Sequence, residues 1–359
     1  MNSSIVSIGL SNPGAPIPQS EIARFMQLAH QLDETEGRRL GFLYRKTGID
    51  SRHSVLEDFD KLSVEDFTFF PKNQTLCPFP GTKARMDVFQ KTAPNLAYQA
   101  AISCLDQAGE KTSSMTHLIL VSCTGMVAPG VELQLMEKLG LDDSVERYCV
   151  HFMGCYAAFT GLKLADKILR SEPEAKVLLV SVELCTLHFQ KEYSEDNLLA
   201  NSIFGDGAAA ALVMNSEKGL KINSYLSQVL REGELDMAWG IGDFGFEMKL
   251  SKFIPTLLDQ GIRQLKEAFE KKFKLSQIKN FAIHPGGKQI LQKVQEAFEL
   301  GPEVNFHAME VLRQFGNMSS ATILFVLERM MKDPDVRGEI LSMGFGPGLT
   351  LETLHLVKQ

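Results

Sequence analysis

The stretch RYCVHFMGCYAAFTGLKLADKILRSEPEAKVLLVSVEL runs from Arg147 to Leu184. It opens on a short apolar run, RYCVHFM (147–153), that reads as a strand. CYAAFTGLKLADKILR (155–170) then has apolar residues at helical spacing and reads as a helix. KVLLVSVEL (176–184) is rich in β-branched residues and reads as a second strand. Upstream, HLILVSC (117–123) is a buried strand and ELQLMEKLG (132–140) a helix ending at a glycine. This β–α–β–α–β order predicts a mostly parallel sheet with helices on both faces. Cys155 falls where the middle strand turns into its helix.

Beyond about residue 220 the order restarts. LSKFIPTLLDQGIRQLKEAFEKKF (250–273) is a long helix, NFAIHPG (280–286) a strand and turn, and KQILQKVQEAFEL (288–300) a helix. SATILFVLERMMKD (320–333) is a nearly apolar, buried helix, and GEILSMGFGPGLTLETLHLV (338–357) two strands around a glycine-rich turn. The expectation is an α/β fold of two duplicated halves, residues 1–220 and 221–359, that share an interface. No linker or low-complexity segment separates them.

The 359 residues suit two packed domains or one large duplicated one. A formal net charge of −7 gives no electrostatic footprint for nucleic acid. No apolar run of about 18 residues is present, so no membrane span is expected. MNSSIVSIGLSNPGAP lacks the charged and apolar regions of a signal peptide, which points to a cytoplasmic protein with reduced thiols. The cysteines are 77, 104, 123, 149, 155 and 185. None forms a CxxC pair or a cluster with histidine, and no metal site is expected. No GxGxxG after a strand and no Walker loop occurs.

Three residues draw a chemical reading. Cys155 sits at a helix N-terminus, where the macrodipole and free N–H groups favour a thiolate, although a small apolar filler at a tight bend explains it equally. His284 ends a strand and is followed by Pro285-Gly286-Gly287; ligands gather at the carboxyl ends of parallel strands. Its plain reading is a satisfied loop histidine. Asn317 precedes a buried helix and reads either as a helix cap or as an amide that donates to a carbonyl gaining negative charge.

Taken together these residues resemble the type III polyketide synthases, the chalcone synthase family. The markers are GCYAA around Cys155, IFGDGAAAA at 203–211, IHPGG at 283–287, GNMSSAT at 316–322 and GFGPGLTLE at 344–352, in order, with 129 residues from Cys155 to His284 and 33 from there to Asn317. MAWGIGDFGFEMKLSKFIP (237–255) is closer to bacterial members than to plant ones. The resemblance implies a thiolase-like five-layer αβαβα architecture, a homodimer, and iterative condensation of malonyl-CoA onto an acyl-CoA starter, with coenzyme A thioesters as the substrates and no further cofactor.

By motif, the resemblance makes Cys155 the nucleophile and completes a triad with His284 and Asn317. Phe204 and Phe246 match the two gatekeeper phenylalanines. Cys123, Cys185, His188, Met237 and Ser319 fall at cavity positions. Met237 stands for a glycine and narrows that side, which puts a bulky aromatic starter in doubt. Of three basic CoA-binding positions, two carry Arg39 and Lys46, and the middle one is Phe42; Arg38 and Arg45 are close by. A solvated helix face explains this basic cluster as well. Three other readings stay open. A one-step β-ketoacyl synthase shares the triad but works with a carrier protein. A papain-like hydrolase shares the order Cys, His, Asn, but its cysteine lies near the N-terminus. A non-catalytic subunit would lack a working nucleophile.

Overall fold

The structure, a computed structural model, describes residues 3–61, 63–251 and 253–359. Strand β1 (Ser3–Ser11) opens the chain. A two-residue pair, β2 (Ile17–Pro18) and β3 (Ser51–Arg52), brackets α1 (Gln19–Ala29) and α2 (Glu34–Lys46). Asp33 accepts from the N–H groups of Thr35 and Glu36, and Glu36 reaches back to Asp33, a reciprocal cap that fixes where α2 starts. Helix α3 (Thr82–Ala108) follows. Then come β4 (His117–Ser122), α4 (Val131–Leu139), β5 (Glu146–His151), α5 (Ala157–Ser171), β6 (Lys176–Leu184), α6 (Glu195–Ile203) and β7 (Asp206–Asn215). The second half comprises β8 (Leu220–Val229), the hairpin β9 (Met237–Gly242) and β10 (Gly245–Leu250), α7 (Ile254–Phe273), β11 (Asn280–Ile283), α8 (Lys288–Ala297), α9 (Phe306–Phe315), α10 (Thr322–Lys332), β12 (Gly338–Gly346) and β13 (Thr350–Lys358). The helix expected over 250–273 starts at Ile254, because β10 runs to Leu250; position 252 lies outside the described residues.

Nine strands form one sheet in the order β11-β12-β13-β8-β1-β7-β6-β4-β5. The expectation of a mostly parallel sheet is corrected: only β11–β12, β4–β5 and β4–β6 are parallel. The other neighbours run antiparallel, because β12 and β13 form a hairpin and β1 lies between two strands of opposite sense. Among the described residues, the sheet joins β1 to β8 where Ser4 and Ile5 pair with Lys221 and Leu220.

Period-two alternation divides the interior into two cores. On β7, Ala208, Ala210 and Leu212 face one core, while Ala209, Ala211 and Val213 face the other. Alanines here let helices approach both faces of the strand closely. Helix α3 covers the outer face of β1, β6 and β7. Helices α5 and α10 lie between the halves: α5 touches β4, β6 and β13, and α10 touches β1, β7 and β11. On the far side α7 packs Phe273 edge-on against His355 of β13, and Phe298 beyond α8 packs on Phe281 of β11. Helix, one wing of the sheet, helix, the other wing, helix is the expected five-layer arrangement. Among the described residues no helix is long and apolar enough to cross a membrane.

Candidate active site

Cys155 sits in a single 3₁₀ turn, Gly154–Tyr156, between β5 and α5. The chain reaches it through Phe152 and Gly154, both with positive φ (60° and 75°). At Gly154 a Cβ would lie 2.2 Å from Cδ of Pro347, so only glycine fits. The Gly154 N–H donates to Cys123 Sγ at 2.9 Å, which ties the turn to the end of β4. Cys155 is enclosed by protein but keeps some surface, and that surface faces a cavity of about 440 Å³.

Asn317 and His284 line the same cavity. The cap reading for Asn317 does not hold: α10 starts at Thr322 without a side-chain cap. Instead Asn317 Oδ1 accepts from the Ser319 N–H at 2.9 Å. That bond fixes the amide orientation, so Nδ2–H₂ points inward, 3.9 Å from Cys155 Sγ and 3.4 Å from the Gly286 carbonyl. The Asn317 backbone makes an isolated parallel bridge with Phe204: its N–H donates to Ile203 O at 2.8 Å, and the Gly205 N–H donates to Asn317 O at 2.9 Å. His284 extends β11 by donating its N–H to Met343 O at 2.8 Å. Its ring is buried, and neither Nδ1 nor Nε2 has a protein partner. A satisfied loop histidine would have one.

Burial sets the charge states. It pushes the Cys155 thiol up to about 11, against partial relief from Ser319 and Asn317. It pulls the His284 imidazole down to about 3. Burial therefore opposes the thiolate that the N-terminus of α5 favours. A lone charge on either residue is disfavoured. Proton transfer from Sγ to the imidazole creates both charges together, and their attraction offsets the desolvation of each.

Below the nucleophile lies a buried acid that sequence reasoning missed. Glu183, near the end of β6, accepts from the Cys123 N–H at 2.9 Å, from Thr124 Oγ1–H at 2.8 Å and from Ser320 Oγ–H. Burial raises its carboxyl to about 7. In the sequence it is one polar residue inside an apolar strand; only the fold shows that three segments converge on it.

The expected cavity residues separate into two groups. Phe204, Cys123, Cys185, Met237 and Ser319 line the cavity. His188 and Phe246 do not; they lie in an adjoining pocket behind Cys185 and Trp239. There His188 Nε2–H donates to Thr124 O at 2.8 Å, and its Nδ1 accepts from the Phe246 N–H at 2.9 Å. The two rings stack at 4.2 Å and 7°. His188 and Phe246 brace the wall from behind, and the ring that lines the cavity here is Trp239, whose Nε1–H donates to Cys123 O at 2.8 Å. Burial drives the Cys123 and Cys185 thiols well above their ordinary range, so both stay protonated. Lys46 lines the cavity, with Nζ 4.6 Å from the centre of the Phe42 ring. Arg39 is exposed and lies outside the lining; Lys288, at the start of α8, is there instead. That exchange was not legible, because Lys288 is 242 positions from Lys46.

A cysteine at the floor of a deep cavity, beside an unpartnered imidazole and an oriented amide, defines an acyl-transferring condensing enzyme on a thiolase-like fold. The comparisons agree. The family described as chalcone and stilbene synthases matches with its N-terminal domain over residues 2–217 and its C-terminal domain over 221–358. The chain belongs to that family, the type III polyketide synthases. It is 29% identical, over 97% of its length and 89% of the relative's, to the alpha-pyrone synthesis polyketide synthase-like Pks18 of Mycobacterium tuberculosis. It is 28% identical to probable polyketide synthase 1 of Dictyostelium discoideum, matching over 99% of this chain but only 11% of that much longer protein. Among solved structures, the C-terminal type III domain of Steely1, a type I/III hybrid from Dictyostelium, superposes with a TM-score of 0.91 at 27% identity, covering 100% of this chain and 99% of that one. PKS-I from the brown alga Ectocarpus siliculosus gives 0.92 at 26%, with the same coverage.

Proposed function

We propose that this chain condenses malonyl-CoA iteratively onto an acyl starter held on Cys155 and releases a cyclised polyketide. The observation that carries this is the shared cavity: nucleophile, imidazole and amide face a space large enough for a growing chain.

In this reading His284 takes the Cys155 proton and the thiolate attacks the starter thioester. The C–S bond to coenzyme A breaks, and the imidazolium returns the proton to the departing thiolate. Malonyl-CoA then enters. Its carboxylate leaves as CO₂, and the electron pair moves into the thioester as an enolate. His284 and Asn317 Nδ2–H₂ donate to that oxygen in a water-poor site. The enolate carbon attacks the acyl-Cys155 carbonyl and expels the thiolate, leaving a β-ketoacyl-CoA two carbons longer. Phe204 and Met237 set the space into which the chain folds, and Lys46 with Lys288 meets the coenzyme A phosphates at the mouth. The halves 1–220 and 221–359 supply the nucleophile and the His–Asn pair respectively, and the working unit is a cytoplasmic homodimer.

The test is mass spectrometry of products from purified protein given malonyl-CoA and a panel of acyl-CoA starters. A pyrone, resorcinol or polyhydroxylated aromatic with several malonyl-derived units is expected. A single β-ketoacyl product, or free acid and coenzyme A, would replace this reading with a one-step synthase or a hydrolase.

A further inference from the structure

At the opposite end of β4 from Cys123, one imidazole nitrogen and two carboxylates face one another. His117 and Glu146 are the first residues of β4 and β5 and stand directly opposite in the parallel register. Glu172 is the C-cap of α5, the helix that starts next to Cys155. His117 Nε2 lies 3.9 Å from Glu146 Oε2 and 3.8 Å from Glu172 Oε2, and the three donor atoms lie within 4.8 Å of one another.

The histidine fixes the reading. His117 is 2% exposed, and its Nε2 has no hydrogen-bond partner. Its Nδ1 lies 2.8 Å from Thr116 Oγ1. That hydroxyl donates to Lys176 O at 3.2 Å and accepts from the Lys176 N–H at 2.9 Å. In the tautomer where the Thr116 proton serves Lys176 O, the bond to the imidazole is Nδ1–H donating to oxygen. Nε2 then presents a lone pair toward two carboxylates, the tautomer and orientation a metal-ligating histidine adopts. Tyr148 donates its O–H to Glu146 Oε2 at 2.9 Å and lies parallel to the imidazole, so it positions one carboxylate as well. Among the described residues neither glutamate has a lysine or arginine ion pair. Both carboxylates are 57% exposed, which leaves them room to move and an ion a path from solvent.

We propose that His117, Glu146 and Glu172 form a divalent-cation site that clamps the first residues of β4 and β5 to the C-terminal end of α5. One nitrogen and two carboxylate oxygens suit a borderline first-row ion such as Zn²⁺ or Co²⁺, with water completing the shell. Bonds of about 2.1 Å in a tetrahedral array separate donors by roughly 3.4 Å, so the exposed glutamates need only close inward slightly. The negative end of the α5 dipole favours a cation there. Six residues of strand, roughly 17 Å at the usual rise, separate the site from the catalytic cavity, so its role is to hold the scaffold. These residues sit 29 and 26 positions apart in the sequence; strand register brings Glu146 to His117, and the packing of α5 on β4 and β5 brings Glu172.

The test is titration of chelator-treated full-length protein with Co²⁺, read by its visible absorption, and with Zn²⁺, read by melting temperature. One equivalent of Co²⁺ per chain is expected, with the spectrum of a nitrogen–oxygen shell and no sulfur-to-cobalt charge-transfer band. Zn²⁺ should raise Tm in a concentration-dependent way. Glu146→Gln/Glu172→Gln should weaken binding at least about 10-fold while product formation persists, and His117→Gln should weaken it in the same way. Absence of stoichiometric binding, binding that survives both variants, or a thiolate band would overturn the proposal.

Discussion

At the residue scale, the site depends on two buried groups that burial keeps neutral until they exchange a proton. The rate of Cys155 alkylation by iodoacetamide should therefore report on His284. In His284→Gln no imidazole is left to take the proton, and burial alone holds the thiol neutral. Its labelling at pH 7 should fall by on the order of 10²-fold or more, and the two proteins should converge at high pH. Equal labelling at pH 7 would separate the imidazole from the nucleophile. Asn317→Ala removes one proposed enolate donor, and malonyl-CoA decarboxylation should slow by about 10²- to 10³-fold with little change in Tm. Gly154→Ala should lose condensation and roughly 1–3 kcal/mol of stability, read from denaturant unfolding, since a left-handed φ and Pro347 both oppose a Cβ. The sequence carried the triad through its motifs. It could not show the orientation of the Asn317 amide, which depends on a bond to the Ser319 backbone.

At the scale of elements, Glu183 joins the end of β4, the end of β6 and the turn before α10. Its folded value of about 7 lies above its unfolded one of 4.5, so the fold prefers the protonated acid. That preference is fully present below pH 4.5, is lost as pH rises toward 7, and is constant above. The loss is on the order of 3 kcal/mol. Glu183→Gln should flatten the stability–pH curve of the intact protein across that window; an unchanged slope would mean the carboxyl reaches water. The apolar strands and the amphipathic helices were legible because their periods differ. The sense of the strands was not, since the first eight residues of antiparallel β7 are as continuously buried as the parallel β4. Nor was α3 read from sequence: it has only weak amphipathic character and contains Pro94. The altered gatekeeper assignment has the same origin. Phe246 and Trp239 both come from one short hairpin, and only the packing of His188 shows which ring faces the cavity.

At the scale of the molecule, the two halves share a central helical layer and so should melt as one unit. Calorimetry should show a single transition. Phe325→Ala, which empties a fully buried site in α10, should lower its midpoint by the several degrees that about 3–5 kcal/mol implies. Two resolved transitions would show that the halves hold separately. The same layer dictates the order of events during synthesis. Helix α10 covers the inner faces of β1 and β7, yet it is translated more than 100 residues after β7 is finished. At the usual pace of about 5–20 residues per second, the nascent N-terminal half keeps the part of that face that α5 does not cover bare for on the order of 10 s. That face is a client surface for chaperones, and the ribosome must hand over the second half before the first is safe from aggregation.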